Sequence, residues 1–223
     1  VQNRRAGSAL AIPLILMAAA AHTANGAISG SQAQLLKLVD QSSASYIATS
    51  RQIWEHPELG YKESQSSAAL QAALRKDGFT VTSPVADEPT GFIATYGEGK
   101  PVIGILETSA RIEPLTPFDP NSPAASTDVG DVSWNYPTIG FVAATFVPGV
   151  APHTWQAAAS AGMSIGQHGM VVAAKALALT GADLFASPQL VADAHQEFER
   201  QLQGKKYRSF IPEGQKPPLD YDR

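Results

Sequence analysis

An α/β architecture, with helices covering a mostly parallel sheet, is predicted by three observations. Two helical periods come early in the chain; a continuous apolar run at residues 101–106 (PVIGIL) follows them; a second run at 138–147 (TIGFVAATFV) precedes a helix-rich tail. Apolar runs of this kind suit strands buried on both faces of a sheet. Helices alternating with such strands point to a layered α/β domain, and 223 residues are enough for one core of ordinary size.

The first helix is expected to open at Ser31, where Ser31 and Gln34 have the spacing of a capping box. Leu35, Val39, Tyr46 and Ile53 form one stripe and Leu36, Ser43, Ile47 and Trp54 its neighbour, a one-sided apolar face. Pro57 ends it by turning His56 away from helical angles. A second helix is expected over 62–77, with Leu70, Ala73 and Leu74 inward and Gly78 supplying the left-handed residue that closes it. Short strands follow at Thr80 and Val81 and within 91–96. Residues 108–125 are rich in Pro, Ser, Asp and Asn without periodicity and read as a linker.

Beyond the second apolar run, Pro148 and Gly149 turn the chain and helices begin near Thr154. Met170, Ala174, Leu177 and Leu184 mark a buried face. Gly162, Gly166 and Gly169 recur where a neighbouring backbone can approach closely, at a cost in helix propensity. Ser187 followed by Pro188 is a cap with proline at the first helical position, launching a last helix that buries Leu190, Ala194, Phe198 and Leu202.

Composition narrows the function classes. The net charge of −4 is spread thinly, so there is no basic footprint for nucleic acid. The chain has no cysteine, which excludes disulfides, thiolate zinc sites and a cysteine nucleophile and leaves any metal to five histidines and the carboxylates. Arg4 and Arg5 precede an apolar run at 9–21, and the small residues Ala24 and Gly26 follow it, the three-part form of a secretory signal peptide over 1–26. The run is about thirteen residues, short of the roughly twenty that span a bilayer. A secreted or periplasmic protein with no stable membrane span is expected, with an uncleaved anchor as the weaker alternative.

Three segments carry a family resemblance: 54–64 (WEHPELGYKES), 125–137 (ASTDVGDVSWNYP) and 148–170 (PGVAPHTWQAAASAGMSIGQHGM). In order and spacing they resemble the aminobenzoyl-glutamate hydrolase branch of the dizinc aminoacylase and carboxypeptidase family. The resemblance implies an incomplete zinc-peptidase-like catalytic domain in two parts, 27–107 and 125–223, joined through a deletion junction at 108–124 and lacking the lid and dimerisation domain. It implies zinc chemistry, in which metal ions polarise an amide carbonyl and activate a water. The substrates would be N-acyl or aminobenzoyl amino acids.

Carried over residue by residue, His153 falls on a metal-ligating histidine, and Ser126, Thr127 and Asp128 fall on a loop beside the substrate. Read without the resemblance, His153 is a residue beside a helix start, and the three loop residues form an ordinary cap or turn. His56 fixes the turn at Pro57, and His168 and His195 lie on exposed helix faces. The adjacent glutamate pair that supplies the family's general base has no counterpart here, nor has its glycine-rich histidine segment. No catalytic residue is therefore assigned. One histidine cannot hold two zinc ions, since a catalytic zinc usually takes three protein ligands. The chain is expected to be catalytically incomplete, needing a completing subunit, or else to be a non-catalytic remnant or binding module prone to non-native self-association.

Overall fold

The computed structural model describes residues 28–105 and 129–220. The expected signal segment 1–26, the junction 108–124 and Ser126, Thr127 and Asp128 lie outside the described residues. Helix α1 spans Gly30–Glu55, α2 Ser64–Lys76, β1 Thr80–Thr82, β2 Ile93–Thr95, α3 Val129–Ser133, α4 Trp155–Ala161, α5 Ser164–Ala186 and α6 Pro188–Leu202.

Helix α1 begins two residues earlier than expected. Ser29 is its cap, accepting from Gln32 N while Gln32 Oε1 accepts from Ser29 N, so the box is Ser29 with Gln32 and not Ser31 with Gln34. Both pairs have the right spacing; the earlier one gains about half a turn of helix. Val39 is buried on the inner face and Tyr46 sits at its margin, 40% exposed. The inner face of α2 is likewise shifted, with Ser67 buried and Leu70 exposed. Gly78, at φ 91°, closes α2 as expected, with Phe79 N donating to Leu74 O across 3.0 Å.

Strands β1 and β2 pair antiparallel, Val81 opposite Ala94. A polar seam joins them to α2. Ser67 donates to Thr90 O at 2.6 Å, Thr90 Oγ1 donates to Glu63 at 2.7 Å, and Gln71 Nε2 donates to Ser67 Oγ at 3.0 Å. Ser83 Oγ donates to Gly91 O at 3.1 Å. Thr90 is thus tied to α2 by hydrogen bonds, and the Ser83 bond closes the segment on itself.

The mostly parallel sheet is not found among the described residues, where β1 and β2 form a two-stranded antiparallel sheet. Residues 101–105 and 138–147 lie outside any strand. A strand has no hydrogen bonds within itself; it exists only beside another strand, and a parallel neighbour must arrive through a long crossover. An apolar run therefore signals burial without ensuring pairing. Residues 101–105 stay largely exposed, with Val102 86% and Ile105 64% accessible and Pro101 and Ile103 half-buried. Within 138–147, Ala144 and Thr145 instead lie against α5 and Phe146 is buried, while Ile139, Phe141 and Val142 stay exposed.

The largest packing unit is α1 against α5. Gln32 reaches Asp183 at 3.3 Å, Asp40 pairs with Lys175 at 2.6 Å, and Trp54 meets Gly162, so the two helices run antiparallel. Gly166 and Gly169 are buried, and an added Cβ would lie 2.4 Å from Ala161 O and 1.9 Å from Ala144 O respectively. Gly166 and Gly169 are therefore required by backbone contact, and Gly162 by the Trp54 ring. Among the described residues α5 is also the helix long and apolar enough, by length and composition, to cross a bilayer. Ser187 caps α6 by accepting from Leu190 N at 3.2 Å, and Phe198 is buried as expected.

Candidate functional site

The segment at 54–64 is built as a joint between α1 and α2. His56 ends α1, its Nδ1 lying 2.9 Å from Gln52 O, which agrees with its expected role at the turn. Pro57 leads the chain to Glu58, whose carboxylate accepts from Gln65 N at 3.0 Å, Ser66 N at 2.8 Å, Ser66 Oγ at 2.8 Å and Ser64 Oγ at 3.2 Å. These groups open α2, whose own cap residue Glu63 makes no side-chain cap bond. A carboxylate there satisfies orphan donors and meets the positive end of the helix dipole. The backbone N–H groups of Gln65 and Ser66, with the two hydroxyls, hold the Glu58 carboxyl down at about 2. Sequence reasoning does not single out Glu58. The available signal is a glutamate six to eight residues ahead of a serine-rich helix start.

The segment at 148–170 contains the turn at Gly149, φ 86°, and then His153 at φ 59°. A left-handed residue with a side chain costs roughly 1–2 kcal/mol, and at this point it redirects the chain into α4. Thr154 locks the bend, donating from Oγ1 to Ala151 O at 2.8 Å and accepting from Ala157 N at 3.3 Å. The His153 side chain is exposed. His168 and His195 are exposed on their helices, in agreement with the sequence. His168 lines an open hollow together with Ala144, Ile165, Gly169 and Val172.

The first and third segments meet. Trp54 Nε1 donates to Ala158 O at 2.7 Å, and its ring occupies the space where a Cβ on Gly162 would stand, 2.3 Å from Cε2. Of the second segment, the described part forms α3 and the turn after it, where Asn135 Nδ2 donates to Asp131 O at 2.8 Å. Among the described residues no group of three or more His, Asp or Glu side chains converges as a metal site. The described residues around His153 therefore do not by themselves make up a zinc centre.

No family model matches the chain, and no solved structure matches it. A curated protein does: the chain is related by sequence to the amidohydrolases of the aminobenzoyl-glutamate hydrolase branch. The relative is a p-aminobenzoyl-glutamate hydrolase subunit from Escherichia coli (strain K12), 30% identical over 168 residues. The match takes in 74% of this chain and 32% of that protein, so the chain spans about a third of the length of the curated relative.

Proposed function

We propose that this chain is an exported, catalytically incomplete member of an amidohydrolase system that cleaves the amide bond of N-acyl or aminobenzoyl amino acids. The observation that carries the reading is the 30% identity to an aminobenzoyl-glutamate hydrolase subunit. Zinc is the metal in this reading, with His153 one of its ligands and Ser126, Thr127 and Asp128 beside the substrate. Another polypeptide supplies the remaining ligands and the general base. Export rests on the pattern of Arg4, Arg5, the run at 9–21 and Ala24 with Gly26.

The test is release of aminobenzoate from aminobenzoyl-glutamate by the purified chain with added zinc, read beside metal content. The expected result is turnover no greater than a zinc-only blank and less than one bound zinc per chain. Robust turnover by the chain alone would overturn the incompleteness.

A second reading, a non-catalytic remnant or assembly module of the same fold, is favoured by the exposed apolar residues Val102, Ile105, Ile139 and Val142. Unpaired apolar segments of this kind associate with other chains. Under it, mixing with a hydrolase subunit that carries the missing ligands restores no activity.

A further inference from the structure

We propose that Trp54 is a positioning residue, whose indole sets α4, and with it the loop carrying His153, against the end of α1. The inference rests on the reading of His153 as a residue of the active region.

Two independent contacts point to it. The Trp54 N–H holds the Ala158 carbonyl at 2.7 Å, across 104 residues of sequence. The same ring lies against Gly162, where an ideal Cβ would fall 2.3, 2.5 and 2.7 Å from Cε2, Cδ2 and Cζ2. One side chain therefore grips α4 in its middle and at its C-terminal cap. Gly162 is not in the left-handed region, its φ being −80°; the glycine is there to admit the ring.

The grip is transmitted to His153 by short links. Thr154 bonds Ala157 N within the first turn of α4 and Ala151 O in the loop, so residues 151–154 move with α4. Helix α4 has seven residues, too few to hold a fixed orientation without tertiary contacts. Trp54 supplies such a contact from the segment that also carries His56 and Glu58. A tryptophan is suited to the task because it combines a wide apolar face with one N–H donor.

The experiment uses spin labels on cysteines introduced at Lys37 on α1 and at Ala151 in the loop; the chain has no cysteine of its own, so only these sites react. The expected result is a single narrow distance distribution in the parent. Trp54→Ala should broaden it at least twofold, and Gly162→Ala should shift its mean by displacing the ring. Trp54→Phe, which keeps a ring and loses the N–H, should recover most of the narrowness. Helix content by circular dichroism is followed throughout, because a merely structural loss would lower it in parallel. Parent-like distributions in both Trp54→Ala and Gly162→Ala would overturn the proposal. Should Trp54→Ala fail to fold, Gly162→Ala decides, and an unchanged distribution in that variant refutes it. The readout needs no catalysis. A broadened distribution together with no activity from any completed assembly would uphold the positioning role and sink the hydrolase reading alone.

Discussion

The same substitution at two positions of α5 should have opposite signs. Gly181 is an interior helical glycine with nothing within 4 Å of an added Cβ, whereas at Gly169 that atom would lie 1.9 Å from Ala144 O, 2.7 Å from its carbonyl carbon and 3.1 Å from Thr145 Cγ2. Replacing an interior helical glycine by alanine stabilises by about 1 kcal/mol, and Gly181→Ala should show that gain undiminished. Gly169→Ala receives the same propensity gain but meets backbone, which cannot swing aside as a side chain does. Either the core is overpacked, at about 1–3 kcal/mol, or residues 144–146 lift away and Phe146, now 5% exposed, loses burial worth about 1.5–3 kcal/mol. A loss of about 2–3 kcal/mol against the gain leaves Gly169→Ala destabilised by about 1–2 kcal/mol. The two variants should then differ by about 2–3 kcal/mol in urea unfolding followed by far-UV circular dichroism. If Gly169→Ala proves as stable as Gly181→Ala, residues 144–146 do not rest on α5 and the packing argument fails.

Three further outcomes are expected. Glu58 has a carboxyl held at about 2 in the folded chain against an ordinary 4.5, so its stabilising contribution is present above the ordinary value and is lost as pH falls toward 2. Glu58→Gln should flatten that part of the acid-unfolding profile, and an unchanged profile would count against the capping role. Ser187→Ala, which removes the bond to Leu190 N, should cost about 1 kcal/mol, read as a lower urea midpoint with the slope retained. His153→Ala keeps a residue with a Cβ at the left-handed position, so it should alter stability by about 0.5 kcal/mol or less and leave aminobenzoyl-glutamate hydrolysis by the isolated chain at the blank level; selective loss of turnover would show a working site.

Local chemistry decides what is legible in the sequence. The stripe around Val39, the glycine that closes α2, the cap at Ser187 and the burial of Phe198 all depend on residues within a few positions of one another. The two overlapping boxes, Ser29 with Gln32 and Ser31 with Gln34, show the limit of such signals, since spacing alone cannot rank them. The runs at 101–105 and 138–147 have the composition of strands and do not form them, because pairing is a property of two segments and the sequence of one says nothing of the other. The Glu58 cap escapes sequence reading for a related reason, its partners lying outside the usual window of three residues. Of the site, the exposed state of His168 and the turn role of His56 are legible. The contact of Trp54 with Gly162 is not, because 108 positions separate them in the chain.

The antiparallel pairing of α1 with α5 joins residues as far apart as Gln32 and Asp183, 151 positions along the chain. In polymer terms this pair closes a very large loop, and the entropy of closing a loop grows only with the logarithm of its length. Tripling the chain between the two helices would cost about 1 kcal/mol, less than a single buried methionine or leucine contributes. The helical pair is therefore nearly indifferent to how much polypeptide lies between its members. A scaffold clamped in this way can gain or shed whole inserted modules in evolution while the clamp itself persists.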